Sequence, residues 1–412
     1  MIKSFFFIFL SALSLSAVAQ EHNLDYYIAA GIKNSPLLKD YYYQAQNNSI
    51  DSMRLLAGYK PQVNGVSTNS YAPVIGGYGY ESAISNIGNF SELVTVSKQL
   101  VSKKNLQNQV QAIQLLTASL HITGRIAEQD LKRTIIAQYI NAFGNWQQYS
   151  FNKEVYELLA KEDTVLKKLT QSSVYRQTDY LTFLVTMQQQ HLSVTQARNQ
   201  FQNEYATLNY LCGLFDTSLA TLAAPSIELN ELPVPENTVY YEKFRVDSLV
   251  LKTNDAQIDF SYKPKVNLFA DAGFVSTLQY LPYKNFGTSF GINLSVPIYD
   301  GKQKKMQHDK IAIAERTRQG YRDNFVTQYK QQTAQLFQQL NSLEEFINET
   351  NSQIKFSAGL MEANAKLMAT GDVRIADYVI AINNYLNAKN IVTQNTVSKL
   401  QIIAQINYWN RQ

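Results

Sequence analysis

The residues best suited to catalysis or metal binding are scarce in this chain of 412 residues and form no recognisable motif. Zinc sites combine His, Cys and carboxylate ligands at short fixed spacings, and no such spacing links the single cysteine, Cys212, to a histidine or to a carboxylate pair. Residues 76–79 are too short to cradle a phosphate and fit the end of a hairpin. No Ser-centred nucleophile elbow is recognised. We therefore expect no enzyme, no cofactor and no metal site; the four histidines are His22, His121, His191 and His308.

The N terminus predicts a secretory signal peptide over residues 1–19. Lys3 precedes an apolar run at residues 5–15, and Ala17 and Ala19 supply a small-residue cleavage site. A membrane anchor is the alternative, but the run is shorter than the ~20 residues that a spanning helix needs, and no later segment is long enough either. The net charge of +4 is too small to favour nucleic acid, and one cysteine allows no disulfide within a chain.

Prolines separate helical from non-helical parts of the chain. None of the nine lies in residues 74–224 or after residue 297, and an interior proline costs a helix ~3 kcal/mol or more. The two proline-free spans therefore predict long helices with narrow heptad seams. Gln and Asn cover much of the remaining surface, which suits a wall with water on one side; an ordinary helical bundle is the alternative. The seams are Leu106, Val110, Ile113 and Leu120, and Leu336, Leu340, Leu343, Ile347 and Ile354.

A short repeat indicates an internal duplication. Residues 59–64, Tyr-Lys-Pro-Gln-Val-Asn, recur at residues 262–267 with five of six positions identical. In each copy a second landmark leads into a long helical span, at residues 98–103 in the first copy and 296–302 in the second. The shared order of strand, loop, strand and helix favours duplication over a chance match.

Between these landmarks apolar residues alternate with small or polar ones, as in strands that have one apolar face. Residues 286–298 show this most clearly, residues 266–274 form a second such face, and residues 62–71 and 93–96 are weaker. We expect four long strands with the apolar-out, polar-in alternation of a membrane β-barrel, with packing on a soluble core as the alternative. Aromatic residues at the expected hairpin ends suit a membrane interface: Tyr71, Tyr78, Tyr80, Tyr280, Tyr283 and Phe286.

Four strands cannot close a barrel on their own. Open strand edges are not tolerated in lipid, and the smallest familiar membrane barrels have eight strands. Three chains around a threefold axis would supply twelve strands and satisfy every edge. A helix over residues 302–370 would then extend for about 100 Å at ~1.5 Å per residue, far beyond one membrane.

In their order and spacing, several segments resemble the TolC family of outer-membrane efflux proteins. Residues 23–36 resemble the family's amphipathic opening helix, and residues 208–213 resemble the end of its first returning helix. Residues 262–266 resemble the start of a strand, and residues 296–302 the end of the next. At these strand ends the matching residues are Pro61, Pro264, Pro297, Asp300 and Gly301.

The resemblance implies a mainly α fold with a membrane β-barrel portion, in which each chain gives two TolC-like repeats and three chains form a twelve-stranded barrel above a helical tunnel. We expect the first repeat at residues 20–213, a linker at 214–237 and the second repeat at 238–412. The expected strands are 61–80, 86–101, 264–280 and 285–299, and the long helices are 102–170, 178–213, 302–370 and 373–411.

The resemblance also implies a function. A homotrimer in the outer membrane, with its helices in the periplasm, would be the exit duct of a tripartite efflux or type I secretion system. It would contact a periplasmic adaptor protein, an inner-membrane transporter and outer-membrane lipid, bind no nucleic acid, and conduct small molecules or peptides passively. The alternative is a periplasmic or surface coiled-coil scaffold without a channel, which the strand alternation disfavours.

The turns between the long helices are the expected periplasmic gate. Gly371 and Asp377 occupy family positions in the second turn, and the resemblance implies that three copies of Asp377 line the closed entrance. Gly371 would serve the turn itself. Since Asp377 also begins a predicted helix, the alternative is that it only caps that helix.

The first turn resembles a latch that contacts a neighbouring turn. Thr178 and Asp179 occupy the latch positions, whereas Ser173 stands where the family usually has glycine. The arginine expected opposite falls at Val373, with Arg374 one residue away. For Asp179, too, capping of its own helix is the alternative.

Overall fold

A computed structural model describes residues 23–81, 88–216, 220–277 and 281–409. The expected signal peptide and Tyr280 lie outside the described residues. The chain is mainly helical with one four-stranded sheet, as predicted. The helices are α1 (Leu24–Asn34), α2 (Pro36–Gly58), α3 (Lys103–Gln171), α4 (Gln177–Leu211), α5 (Val239–Ser261), α6 (Gln303–Thr370) and α7 (Ile375–Trp409), and the strands are β1 (Gln62–Tyr71), β2 (Gly88–Leu100), β3 (Lys265–Ser276) and β4 (Phe286–Ser295).

The sheet is an antiparallel meander in the order β1-β2-β3-β4. The central pair joins the two sequence repeats, with Leu100 opposite Val266. The hairpin pairs place Gln62 opposite Ser97 and Lys265 opposite Ser295. The start of β1 and β3 and the end of β2 and β4 therefore share one end of the sheet, the end that connects to the helices.

Two strands are shorter than the sequence predicted. β1 ends at Tyr71 rather than near residue 80, because Pro73 cannot donate to a ladder and Gly76 and Gly77 turn the chain at φ +58° and +85°. β4 ends at Ser295 rather than near residue 299, just before Pro297. The expected ends of the other two strands, at residues 86–87 and 278–280, lie outside the described residues.

The chain divides into two compact units that cut across the sequence repeats. The strand unit, Lys39–Arg125 with Val239–Val326, holds the whole sheet. The turn unit comprises Ile126–Thr238 and the described parts of Met1–Leu38 and Thr327–Gln412, and it holds both turns between long helices. Each unit takes segments from both repeats.

Apolar side chains from several helices form the core of the turn unit. One cluster joins α1 to α3 and α4 through Tyr27, Ile135, Tyr139 and Leu208. Cys212 belongs to it and is fully buried, and burial raises the pKa of its thiol to about 12, so it serves as an apolar side chain of this core. A second cluster fills the space beside the turns. None of the described helices carries an apolar stretch of the length and hydropathy needed to cross a membrane.

Candidate functional site

The second helix turn, between α6 and α7, reverses the chain through Gly371. This residue has φ +86°, the left-handed region that glycine adopts without steric cost. The amide of Gly371 donates to the carbonyl of Met368 at 3.2 Å, and the amide of Asp372 donates to that of Leu367 at 2.9 Å. This is the Schellman pattern of a helix C-terminus, and it satisfies two carbonyls that the helix leaves free.

The first turn, between α3 and α4, has the same backbone with a different residue. Ser173 adopts φ +59°, and its amide donates to the carbonyl of Thr170 at 3.0 Å. The next amide, of Val174, donates to Leu169 at 2.9 Å. A serine therefore occupies the left-handed position that glycine holds in the other turn.

Tyr175 connects the two turns, a role that the sequence did not reveal. Its hydroxyl lies 2.8 Å from the carbonyl oxygens of both Met368 and Val373. Val174 packs so closely on Gly371 that a Cβ there would lie 2.8 Å from its Cγ1 atom. The two turns thus form one packed structure within the turn unit.

Asp377 is paired with a cation. The Arg374 guanidinium donates from Nε and Nη2 to the two carboxylate oxygens, both at 3.0 Å. The pKa of Arg374 is raised, mainly by this hydrogen bond and also by Asp179. Asp377 is the third residue of α7, where a negative charge suits the helix dipole. It is not the cap residue, because the first helical hydrogen bonds go to the carbonyl of Arg374.

The latch residues Thr178 and Asp179 lie in the first turn of α4. The residue before this helix, Arg176, makes no side-chain cap bond, and Asp179 is again the third helical residue rather than the cap. The carbonyl of Thr178 accepts the Thr182 hydroxyl at 3.0 Å. Within the chain, Arg374 makes its two hydrogen bonds to Asp377 and not to Asp179. A latch between neighbouring chains stays a prediction.

Below this surface the buried cluster of the turns is apolar except for the hydroxyl groups of its tyrosines and of the tyrosines packed against it. The Tyr180 hydroxyl donates to Asp163 at 2.9 Å. Tyr378 is fully buried, its hydroxyl has no partner among the described residues, and burial raises its pKa. Met368, Ile375 and Phe183 are also fully buried in this cluster.

In the strand unit, the predicted strand-end residues lie at strand and helix boundaries. Pro61 and Pro264 immediately precede β1 and β3, and Pro297 follows β4. Asp300 lies three residues before α6, and its carboxylate accepts hydrogen bonds from the amides of Lys302 at 2.9 Å and Lys304 at 2.7 Å. These hydrogen bonds lower the pKa of the Asp300 carboxyl, and the bond from the Lys304 amide has the largest effect. Gly301 has φ +64° in the same turn.

A histidine close to this turn was missed by sequence reasoning. His308 Nδ1 lies 2.6 Å from Asp255 and its Nε2 lies 3.5 Å from Asp259, both on α5. Lys304 contacts the same Asp259 oxygen at 2.8 Å. The pKa of His308 is raised, chiefly by the hydrogen bond to Asp255. The partners lie about fifty residues away in sequence, so no local spacing signals them.

The register gives the sheet two chemically different faces. On one face of β3 and β4 lie apolar pairs such as Val266 with Leu294 and Leu268 with Ile292. On the other face, Asn267 pairs with Asn293 and Asp271 with Ser289. The apolar face is bare in the single chain: Phe290 is 91% exposed and Ile292 70%. The predicted alternation is confirmed.

Residues 287–291 spell Gly-x-Ser-x-Gly, yet the segment lies inside β4 and not at a strand-to-helix turn. Ser289 donates to Asp271 at 3.1 Å. In the part of the chain that the structure describes, no group of three or more His, Cys, Asp or Glu side chains is placed to hold a metal ion.

No protein-family model matches this chain, and no curated protein matches it in sequence. Solved structures do. CusC, studied for transmembrane channel formation, matches with a TM-score of 0.78 at 12% identity, over 94% of this chain and 92% of CusC. The MtrE outer membrane channel of Neisseria gonorrhoeae matches with a TM-score of 0.74 at 12% identity, over 94% of this chain and 88% of MtrE. The outer membrane protein VceC of Vibrio cholerae matches with a TM-score of 0.72 at 12% identity, over 94% of this chain and 96% of VceC. The chain has the fold of these proteins, which confirms the TolC-like fold predicted above.

Proposed function

We propose that this chain is one of three that together form a passive exit duct through the outer membrane. The similar structures are outer membrane channels, which supports the proposal. The observation that carries it is the sheet itself. Its apolar face is bare, and β1 and β4 have no outer neighbour among the described residues. Since lipid tolerates no open edge, copies of the chain must supply the missing neighbours.

The charges on the apolar face fit a membrane position. On the described strands this face carries only Glu92 and Lys98. Lys98 lies near the helix-connected end of β2, where its ammonium can extend to the lipid head groups. Glu92 lies toward the other end and accepts hydrogen bonds from Ser67 and Asn69, both at 2.8 Å. Between them the face is uncharged.

In this proposal the duct works in a tripartite efflux or type I secretion system. A periplasmic adaptor and an inner-membrane transporter would supply cargo and energy, so the duct itself needs no catalytic group. The two helix turns would form the periplasmic entrance, with Asp377, Arg374 and Gly371 from the second turn and Thr178 and Asp179 from the first.

Reconstitution tests this function. Protein extracted from outer membranes with detergent should run as a trimer and produce stepwise conductance in planar lipid bilayers. Fractionation of cells should place it in the outer membrane. A scaffold without a channel would instead appear in the soluble fraction as a stable protein that needs no detergent and conducts no ions, and that result would end the proposal.

A further inference from the structure

The polar face of the sheet carries very little charge. It contains the odd-numbered residues of β3 and β4 and the residues paired with them on β2 and β1. On the described strands only Lys265 and Asp271 are charged on this face. The rest are amides, hydroxyls, glycines and a few apolar residues, including Asn64, Thr68, Thr95, Asn267, Ser289 and Asn293.

Asp271 is the only carboxylate on the polar face of the described strands. It lies mid-strand between Thr95 on β2 and Ser289 on β4. The Ser289 hydroxyl donates to it at 3.1 Å, and no cationic side chain of the described residues forms an ion pair with it. Lys265 lies six positions away along β3, a distance of about 20 Å. That exceeds the screening length of about 8 Å at physiological salt.

Small residues leave this carboxylate open to the space above the face. Gly273 and Gly291 lie near it on the same face, and each is glycine because a neighbour occupies the Cβ position. For Gly273 this neighbour is the backbone of Glu92, at 2.0 Å, and for Gly291 it is the ring of Phe269, at 2.6 Å. Phe269 therefore lies against the sheet, and Asp271 is the one anionic group on the polar face of the described strands.

We propose that Asp271 sets the charge preference of the strand-lined part of the duct. The inference rests on the proposed function, because the polar face lines a lumen only if copies of the chain close the sheet. Threefold symmetry then places three Asp271 carboxylates at one level of the lumen. Carboxylates at one level of a pore favour small inorganic cations and disfavour anions.

Single-channel recordings across a potassium chloride gradient test this role. Asp271→Asn keeps the shape of the side chain and its hydrogen bond with Ser289. In trimers of this variant the ratio of potassium to chloride permeability should fall about twofold at 0.1 M salt, and less at 1 M, where screening shortens to about 3 Å. Glu92→Gln is the matched control: it removes a carboxylate from the same part of the sheet but from the apolar face, and should leave the ratio unchanged.

A second variant adds charge instead of removing it. Ser289→Lys places an ammonium directly opposite Asp271 and should lower the permeability ratio at least as far as Asp271→Asn does. If wild-type trimers conduct ions but the Asp271→Asn and Ser289→Lys trimers keep the wild-type selectivity, the role of Asp271 is overturned and the duct is not. Wild-type trimers that never conduct would overturn the duct itself.

Discussion

At the scale of single residues, Ser173 and Gly371 occupy the same left-handed position in the two helix turns. A residue with a Cβ costs roughly 1 kcal/mol there compared with glycine. Ser173→Gly should therefore stabilise the turn unit by about 0.5–1 kcal/mol. Gly371→Ala should destabilise it by more than this, because the added Cβ also meets Val174 at 2.8 Å.

Denaturant unfolding of the purified protein measures both changes. Ser172→Gly is the control, since this neighbouring residue does not have a positive φ and should gain nothing from glycine. Equal effects of Ser173→Gly and Ser172→Gly would show that the left-handed conformation is not the cause.

The pairing of Arg374 with Asp377 changes what the proposed gate should do. Because the guanidinium contacts both carboxylate oxygens, three copies of Asp377 at an entrance would be largely neutralised. Arg374→Gln should free these carboxylates and raise the cation preference of the channel, whereas Asp377→Asn alone should change it little. Adding Asp377→Asn to Arg374→Gln should cancel the increase. Reversal potentials measure all three, and an Arg374→Gln channel with wild-type selectivity would remove Asp377 from the conducting path.

The turns illustrate which residue roles a sequence discloses. The positions of Gly371 and Ser173 were predictable, because the turn follows from the end of one helical pattern and the start of the next. The bonds of Tyr175 to Met368 and Val373 were not, because the partners lie almost two hundred residues apart in the chain. Capping was the alternative interpretation of Asp179 and Asp377, and the structure does not favour it, since Arg176 and Arg374 stand at the cap positions three residues earlier.

At the scale of elements, a charged cluster joins α5 to the start of α6. His308 faces Asp255 and Asp259 from α5, and Lys304 lies on its own helix. The raised pKa of His308 means that the folded protein holds this proton more tightly than the unfolded chain does. The resulting stability is fully present below about pH 6.5, the ordinary histidine pKa, and is lost as pH rises through the raised value.

The thermal midpoint of the wild-type protein should therefore decrease as the pH is raised from about 6 to about 9. The His308→Asn variant should show a smaller decrease. His121→Asn, on an exposed part of α3, is the control and should keep the wild-type dependence. Amide hydrogen exchange in the last turns of α5 should also become faster as pH rises. In the wild type this increase should exceed the intrinsic effect of pH on exchange, and in His308→Asn it should not. An identical pH dependence in the wild type and His308→Asn would refute the role of the cluster.

The strands show the limit of periodicity as a predictor of elements. Alternation identified both faces of β3 and β4 correctly, because side chains change sides at every residue. It could not fix where the strands end. Those ends depend on Pro73, on the two glycines that follow it and on Pro297, which interrupt the ladder without interrupting the alternation of apolar residues. The pairing of β2 with β3 was not predicted, because it joins two hairpins that are far apart in the sequence.

At the scale of the whole molecule, the compact units differ from the two sequence repeats. A repeat is a stretch of chain, whereas a compact unit collects segments that pack together. The two longest helices, α3 and α6, therefore contribute to both units, with divisions after Arg125 in α3 and after Val326 in α6. The repeats stay a prediction about how the sequence arose, and sequence periodicity contains no information on where packing divides a continuous helix.

Closure of the sheet by three chains can be tested with cysteine pairs on the two edge strands. Within one chain β2 and β3 separate β1 from β4, a distance of about 14 Å at ~4.8 Å per strand. A disulfide needs Cα atoms closer than about 7 Å, so any bond between the edges must join two chains. Cys212→Ala first removes the native thiol, and Asn293→Cys then places one cysteine on β4. A second cysteine is placed on β1 by Gln62→Cys, Asn64→Cys or Val66→Cys. These three positions lie on the polar face and test three different registers between β1 and β4.

Oxidation of membranes that contain one of these pairs should give cross-linked dimers and trimers, with no larger species, because a third bond closes the ring. Each single-cysteine variant should stay monomeric in denaturing gels, since like edges do not meet in a cyclic arrangement. A ladder that extends beyond three chains would mean an open assembly, and one that stops at two would mean a different symmetry. Either result would contradict a closed ring of twelve strands.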